Sequence, residues 1–359
     1  MLHQGSGSDL QELGLQEVAG GTFFFNKEDP TEMRQLLLAL MITLVGMVSA
    51  LAQAPNPAQT PATATPPEPQ RLPFYKEIRK TVVFLELVCK SGTAFKDIKG
   101  TGFFVWYPDK RLGDGGGFTY LVTNRHVAMC WDDETRIPLE VKSISARVNT
   151  RDGSSLVVPL NTSGNVPWIV PTDESVDLAL LPLLPEGKKV DYLAIPLEIF
   201  ASDDVVKNRD ISEGTRIVFT GFFYQFPGVQ RMQPIIREGV LAMMPDEQMI
   251  TTTGKRGTLY LGDVHIFHGN SGSPVFVNLG GIQGNRISGD QYFFLGVVSG
   301  MFTEKEEFQL EIATTVRGET EANSGIATIV PANALTNLLE DPRVQGQRDV
   351  DVANWKQSK

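Results

Sequence analysis

From residue 81 onward the chain is a succession of short β-type runs, rich in β-branched and aromatic residues and broken by turn residues. The clearest runs are 81–89, 101–107, 118–124, 143–149, 177–183, 215–223, 235–244, 274–279, 292–300 and 325–331. Helical periodicity is confined to short stretches at 74–80 and 332–340. So many short strands predict an all-β fold of packed or closed antiparallel sheets.

Charge and residue usage exclude several classes of function. The chain has a net charge of −10 and no basic stripe, so we expect no nucleic acid partner. It contains only two cysteines and four histidines, and the pair His265 and His268 has no accompanying carboxylate pattern. We therefore expect no metal and no cofactor.

The segment 33–54 has the form of a signal peptide. One basic residue precedes an apolar run from Leu36 to Val48, and small residues follow at the positions that a signal peptidase reads. The run is too short to span a bilayer comfortably. We expect export to the periplasm or the medium, with membrane contact only through this signal peptide. An uncleaved anchor over 36–52 is the alternative.

The flanking segments do not look like folded structure. Residues 1–32 carry six acidic residues and one lysine, and we expect translation to begin at Met33, which makes 1–32 an untranslated or disordered extension. Residues 55–72 form a Pro-rich linker. The folded domain is predicted over 73–345, and a polar tail over 346–359.

The stretch HGNSGSPVF at 268–276 surrounds one serine with backbone freedom. A serine hydroxyl becomes nucleophilic when a base takes its proton, and its reaction needs two N–H groups aimed at the developing oxyanion. Gly269 can adopt backbone angles that direct its own N–H and that of Ser271 towards one point. This pattern predicts Ser271 as a nucleophile; an ordinary glycine-rich turn is the alternative.

His126 is the candidate base, because it directly follows an apolar strand in LVTNRHVAMC. His265 and His268 are too close to Ser271 along an extended chain to fold back easily, and His3 lies outside the fold. A lone histidine after a strand is commonly structural, so its assignment depends on its partners.

A carboxylate that leads into a buried strand is costly unless something pairs with it, and Asp177 begins the run DLALLPL. We therefore favour Asp177 as the residue that orients the base. Asp173, in a polar loop, is its rival.

The order His126, Asp177, Ser271, in the motifs TNRHV, DLALL and GNSGSP, resembles the chymotrypsin-like (trypsin-like) serine proteases of the secreted bacterial type. The resemblance extends to TGFFV, Trp168, GVVSG and the closing ATIVPANAL. No histidine follows Ser271, which excludes the order of an α/β-hydrolase.

The resemblance implies two packed six-stranded antiparallel β-barrels, at about 80–185 and 190–331, with a short C-terminal helix and the site in the cleft between them. It implies a serine endopeptidase that hydrolyses a protein or peptide substrate through an acyl-enzyme, with backbone N–H groups of Gly269 and Ser271 as oxyanion donors. The alternative is a catalytically silent protease-like module that binds a protein or peptide partner. The presence of all three triad residues favours activity.

The same resemblance places the primary specificity pocket at His265, for its floor, and at Ser299, Gly300 and Met301, for its walls. Its floor has no aspartate, so a preference for Arg or Lys is not supported. Relatives activated by proteolysis carry an aspartate where this chain has Asn270, so we expect a site formed on folding.

Two further expectations concern other segments. In an oxidising compartment Cys89 and Cys130 can pair as a disulfide. The acidic segment 303–311 is a candidate loop over the cleft, and the sequence leaves open whether it blocks the cleft.

Overall fold

The computed structural model describes residues 73–132, 135, 137–160, 168–283, 286–311 and 315–358. The predicted extension at 1–32, signal peptide at 33–54 and linker at 55–72 lie outside the described residues. Among the helices described, none has the length and apolar character needed to cross a membrane.

The first half of the fold is a seven-stranded sheet. Its strands are β1 (Val82–Ser91), β2 (Ala94–Pro108), β3 (Gly117–Thr123), β4 (Glu140–Asn149), β5 (Ser155–Pro159), β6 (Ala179–Pro182) and β7 (Ile195–Pro196). The order is β5-β4-β1-β2-β3-β6, with β7 parallel to β2 and all other pairs antiparallel.

The second half contains a closed six-stranded barrel in the order β12-β17-β16-β13-β8-β9. Its strands are β8 (Arg216–Gly221), β9 (Ile235–Met243), β12 (Tyr260–Asp263), β13 (Pro274–Asn278), β16 (Tyr292–Glu311) and β17 (Thr315–Pro331). Two short hairpins accompany it: β10 (Met249–Ile250) with β11 (Arg256–Gly257), and β14 (Gly281–Gln283) with β15 (Arg286–Ser288).

The prediction of a mainly β fold is confirmed, and so is a closed six-stranded barrel in the second half. The predicted barrel of the first half is not confirmed, because no strand pair among the described residues closes its sheet. Its two edge strands, β5 and β6, are short, at five and four residues. A single bridge between Ile169 and Leu180 occupies the outer edge of β6.

Helices are few. They are α1 (Phe74–Ile78), α2 (Arg125–Ala128), α3 (Asp203–Asn208), α4 (Ala332–Leu339) and α5 (Pro342–Gln357), with 3₁₀ turns at Lys110–Leu112 and Leu197–Ile199. The residues predicted as a polar tail, 346–359, thus fall mostly within α5. This helix begins with an Asp341 cap that accepts from Arg343 N–H at 2.9 Å, with proline in its first turn.

Aromatic contacts join the two halves into one core. Phe84 of the first sheet packs against Phe222 of the second half with ring centroids 5.4 Å apart, and Phe103 lies 5.6 Å from Phe294. All four rings are buried. Because apolar burial of this size stabilises the contact strongly, residues at the junction are held in a fixed relation, and the candidate site lies there.

Candidate active site

Helix α2 holds His126 at the end of the apolar strand β3. The chain leaves β3 at Thr123 and turns into the helix through Asn124, which has extended backbone angles. The Asn124 side chain is fully buried, and its Nδ2 donates to the Asp177 carbonyl across 2.9 Å. This bond ties the start of α2 to the segment that leads into β6.

The structure brings His126 and Asp177 together. His126 Nδ1 lies 2.7 Å from Asp177 Oδ2, and the His126 backbone N–H donates to Oδ1 across 3.1 Å. The Asp177 side chain is only 2% exposed, whereas that of His126 is 40% exposed. His126 Nε2 makes no hydrogen bond to the residues that the structure describes. The carboxylate therefore fixes one ring nitrogen and leaves the other available.

The pKa values of this pair move apart. Burial alone would lower the pKa of His126, but the charge of Asp177 and its hydrogen bond outweigh burial and raise it above its ordinary value. Burial alone would raise the pKa of Asp177. The charge of the His126 imidazolium and the hydrogen bonds from His126 and from the Ser299 hydroxyl outweigh burial and lower it. Asp177 is thus held ionised beside a histidine that is a stronger base than usual.

Two hydroxyl groups from the second half also reach Asp177. Ser299 Oγ donates to Oδ2 across 2.6 Å, and Thr252 Oγ1 lies 3.2 Å from the same oxygen. The two hydroxyl oxygens are 2.6 Å apart. Because each hydroxyl has one proton, the shortest contacts form a chain in which Thr252 donates to Ser299 and Ser299 donates to Asp177.

The serine turn lies immediately before β13 and contains two glycines with positive φ. Gly269 has φ +96° and Gly272 has φ +85°, angles that side chains rarely adopt. The N–H groups of Asn270 and Gly272 donate to backbone carbonyls at 2.9 Å each. Those of Gly269 and Ser271 donate to none of the described residues. The turn therefore leaves these two N–H groups available at the half-buried Ser271.

Thr101 of β2 holds the serine turn from the first half of the fold. Its N–H donates to the Ser271 carbonyl at 2.8 Å, and its hydroxyl donates to the Gly269 carbonyl at 2.7 Å. The same hydroxyl accepts from Phe222 N–H at 3.0 Å. Thr123, two residues before α2 begins, donates its hydroxyl to the Thr101 carbonyl at 2.7 Å. One buried threonine thus connects the serine turn with the strand that leads to His126.

The serine turn and α2 are neighbours across Gly100. A Cβ at Gly100 would stand 2.6 Å from Val127 Cγ1 and 3.2 Å from the Ser271 carbonyl oxygen. Val127 is the residue after His126. The absence of a side chain at Gly100 therefore allows Ser271 to lie beside the histidine helix.

Asn270 is bonded to its own turn and to Phe222, on the segment after β8. It is fully buried, its Oδ1 accepts from Phe267 N–H at 2.8 Å, and its Nδ2 donates to the Phe222 carbonyl at 3.0 Å. Both ends of the amide are therefore satisfied without a charged partner.

The residues predicted for the specificity pocket divide into two groups. The exposed His265 lies against Gly325, where an added Cβ would stand 2.8 Å from its ring. Ser299 is 1% exposed and directs its hydroxyl to the carboxylate described above. Gly300 and the half-buried Met301 continue along β16.

Cys89 of β1 and Cys130, two residues after the end of α2, are paired as a disulfide with Cα atoms 6.7 Å apart. Both residues are buried. Segment 303–311 belongs to β16 and pairs antiparallel with β17 in a long hairpin. No group of three or more potential metal ligands occurs among the described residues.

Sequence reasoning missed Thr101 and Thr252, and it assigned Ser299 to the pocket wall. Thr252 and Ser299 lie 75 and 122 residues from Asp177, and nothing in the local pattern signals the contact. Thr101 stood within the TGFFV stretch, whose similarity to known proteases was the only signal available.

Comparisons with known proteins agree with the sequence resemblance. The model of a trypsin-like peptidase domain matches residues 100–283, and this match confirms the resemblance. A search of curated proteins finds no match.

Solved structures similar to the chain include an HtrA-type protease, AlgW with tripeptide, at 15% identity, covering 75% of this chain and 64% of that chain with a TM-score of 0.42. Deg5 matches at 17% identity, covering 73% and 88% with a TM-score of 0.40. A variant of AlgW with tripeptide matches at 14% identity over 74% of this chain, with a TM-score of 0.42. The chain spans 61% of the length of that variant structure.

Proposed function

This chain belongs to the trypsin-like peptidase domain family, and on that premise we propose that it is a serine endopeptidase acting on a protein or peptide substrate. The observation that carries the proposal is the buried Asp177 carboxylate, which is bonded to His126 and leaves His126 Nε2 without a partner among the described residues. Such a pair is what a serine nucleophile requires for activation.

In the proposed mechanism His126 Nε2 takes the hydroxyl proton of Ser271 as Oγ attacks the carbonyl carbon of the scissile bond. Asp177 keeps the imidazole in the tautomer with the proton on Nδ1 and stabilises the imidazolium that forms. The imidazolium then gives its proton to the leaving amine, and the peptide bond breaks to leave an acyl-enzyme. Water activated by His126 hydrolyses the acyl-enzyme and restores Ser271.

The proposed oxyanion donors are the N–H groups of Gly269 and Ser271. The hydrogen bonding of the turn supports this assignment. The N–H of Asn270, which lies between the two, is hydrogen-bonded, whereas the N–H groups of Gly269 and Ser271 have no acceptor among the described residues. A donor of this kind contributes on the order of a hundredfold or more to the rate. It acts only on charge that develops in the transition state.

For the primary pocket we propose His265 as the floor and the Ser299–Met301 backbone as one wall. The contact between His265 and Gly325, on β17, supports a pocket bounded by β16 and β17. Ser299 would contribute backbone groups, because its hydroxyl is engaged with Asp177. The His265 ring gives this floor hydrogen-bonding capacity without a negative charge.

We propose that the protein is exported, on the strength of the signal-like segment 33–54. N-terminal sequencing of protein secreted by an expressing host tests this proposal. A mature chain that begins at Gln53 or Pro55 is the expected result. Recovery of the chain with 36–52 still attached would instead favour an anchor.

Labelling of the purified full-length chain with a fluorophosphonate probe tests the catalytic proposal. The probe reacts with an activated serine, so we expect labelling of the wild type and none of Ser271→Ala or His126→Ala. The matched control is Ser273→Ala, because Ser273 lies in the same turn, is buried, and has an Oγ with no hydrogen bond to the described residues. This variant should label like the wild type.

Equal labelling of Ser271→Ala and wild type would contradict the assignment of the nucleophile. No labelling of a wild type shown to be folded by circular dichroism would refute the enzymatic proposal and favour the protein-binding module.

A further inference from the structure

Four ring side chains lie beside the serine turn, two on the residues just before it and two on the loop after β8. Phe223 and Phe267 meet edge to face with centroids 5.6 Å apart, and Tyr224 and His268 do so at 6.0 Å. Tyr224, Phe267 and His268 are exposed. We call these four residues, Phe223, Tyr224, Phe267 and His268, the aromatic rim.

Phe223 and Tyr224 lie on the loop between β8 and β9, and hydrogen bonds hold the part of this loop that precedes β9. Asn149 of β4 forms two hydrogen bonds with the backbone of Met232, at 2.8 and 3.0 Å. Arg147 donates to the Gly228 carbonyl at 3.3 Å. Gly228 has φ +105°, and a Cβ there would stand 2.0 Å from the Arg231 carbonyl oxygen. Together with the hydrogen bonds of the Phe222 backbone to Thr101 and Asn270, these contacts hold the loop at both ends.

The rim is continuous with the proposed oxyanion site. A Cβ at Gly269 would stand 3.0 Å from Tyr224 N and 3.1 Å from Tyr224 Cβ, so the two residues are in direct contact. Tyr224 N–H also donates to the His268 carbonyl at 3.4 Å. A scissile carbonyl held by the N–H groups of Gly269 and Ser271 places the adjoining substrate residues within about 4 Å of it along the chain. Those residues reach the rim.

The charge around the rim favours an uncharged occupant. The guanidinium of Arg237 lies over the Phe267 ring, 5.0 Å from its centroid, and so occupies one face of that ring. A second cation would meet this positive charge instead of a free aromatic face. Exposed rings on a fixed backbone bind an aromatic or large apolar side chain of a ligand most favourably. Such a side chain can stack against the rings, and the contact removes the apolar surface of both from water.

We propose that the aromatic rim is a specificity surface that takes an aromatic or large apolar side chain of the substrate next to the scissile bond, and disfavours Lys and Arg there. The inference rests on the proposed peptidase function. It assigns a substrate class that the residues of the primary pocket do not define.

Cleavage of a random peptide library, read by mass spectrometry, tests the inference with the full-length protein. We expect aromatic residues to be enriched beside the cleaved bond in wild type. Tyr224→Ala and Phe267→Ala should each reduce that preference by about threefold to tenfold, the worth of one aromatic contact. Phe95→Ala is the matched control, because Phe95 is 65% exposed and lies on β2 at the β1–β2 hairpin; it should leave the preference unchanged.

Two outcomes separate the inference from the function on which it rests. Fluorophosphonate labelling of wild type, together with cleavage that lacks aromatic preference or keeps it in both rim variants, would overturn the inference and leave the peptidase proposal standing. Without labelling, peptides with and without phenylalanine are titrated against Ser271→Ala by fluorescence anisotropy. Phenylalanine-dependent binding that Tyr224→Ala weakens would support the rim as a peptide surface, and its absence would overturn it.

Discussion

At the scale of single residues, we expect the Asp177 carboxylate to control the proposed chemistry, because it is buried, ionised and bonded to His126. The base must be neutral to accept a proton, so the labelling rate should rise with pH through the His126 pKa. That pKa is raised, so the midpoint should lie above the ordinary value of about 6.5. Measuring fluorophosphonate labelling rates from pH 5 to 9 (a range that brackets the ordinary value) checks this.

The free energy of unfolding should fall as the pH rises, whereas the labelling rate should rise. A raised folded-state pKa means that the His126–Asp177 pair adds stability below the unfolded pKa of about 6.5, and that this stability is lost as pH rises through the folded value. Asp177→Asn is the control. This variant removes the charge that raises the His126 pKa, so the midpoint of its pH profile should lie at a lower pH. A wild-type midpoint at or below that of Asp177→Asn would contradict the assignment.

We propose Thr252 as a positioning residue, because its hydroxyl donates to Ser299, which in turn donates to Asp177. Thr252→Val keeps the shape and removes one hydrogen bond, so we expect the labelling rate at the pH plateau to fall about threefold to tenfold. Without Thr252 the hydroxyl groups stabilise the Asp177 carboxylate less. The carboxylate should then hold the imidazolium more tightly and move the midpoint of the pH profile to a higher pH. Thr252→Ser should restore both values. A valine variant with an unchanged pH profile would indicate a purely structural role.

The sequence predicts candidate residues whose chemistry has a local signature, but not residues that would act only through contact. His126 and Asp177 each adjoin an apolar strand, and Ser271 lies among glycines, so each was visible in its own segment. Thr252 carries no such signature, because a hydroxyl in a polar turn commonly faces water. Its role follows from the approach of the β10–β11 hairpin to Asp177.

At the scale of elements, β2 and the serine turn act as one unit through Thr101. Thr101→Val would leave the Gly269 carbonyl and the Phe222 N–H buried without a partner. At about 1–3 kcal/mol for each of these two groups, we expect the free energy of unfolding to fall by about 2–6 kcal/mol, and labelling to slow at least tenfold. Urea unfolding and probe kinetics measure the two effects.

Thr119→Val is the matched control for this variant. Thr119 is also a buried threonine, on the neighbouring strand β3, and its hydroxyl makes no hydrogen bond within the described residues. A change below about 1 kcal/mol is expected. Similar destabilisation in both variants would show that the effect is general to buried threonines.

The elements also show where periodicity misleads. Most of the residues predicted as a polar tail, 346–359, lie in helix α5, whose buried stripe contains an arginine. Val344, Arg348 and Val352 are spaced four apart and buried, and the Arg348 guanidinium lies over the Tyr107 ring at 4.0 Å. Its Nη1 donates to the Tyr120 hydroxyl and to the Leu339 carbonyl. A charged residue in the buried face thus concealed the helix from a hydrophobic pattern.

At the scale of the whole molecule, the disulfide Cys89–Cys130 closes a separation of 41 residues between β1 and the end of α2. In the chain-entropy account such a loop contributes about 4 kcal/mol. We expect the double variant Cys89→Ala with Cys130→Ala to lose about that much unfolding free energy in urea. Reductant should lower the stability of wild type and leave the variant unchanged. A variant as stable as oxidised wild type would contradict this prediction.

The overall architecture was predictable only in part from the sequence. Strand positions followed from local composition, and the closed barrel of the second half agrees with the family resemblance. Closure of a sheet depends on how its edge strands meet, and this is a long-range property. The residue pattern at 155–159 and 179–182 does not show whether β5 and β6, the short edge strands of the first sheet, pair with each other.

The Asn270 amide, bonded at one end to its own turn and at the other to Phe222, bears on when the proposed peptidase would become competent. Both bonds come from within the folded chain, so we expect the turn to be complete once the chain folds, without a chain end freed by cleavage. Control of the proposed activity would then lie outside the turn. The amount synthesised, the timing of the proposed export and the presence of inhibitors would decide when the protein meets a substrate.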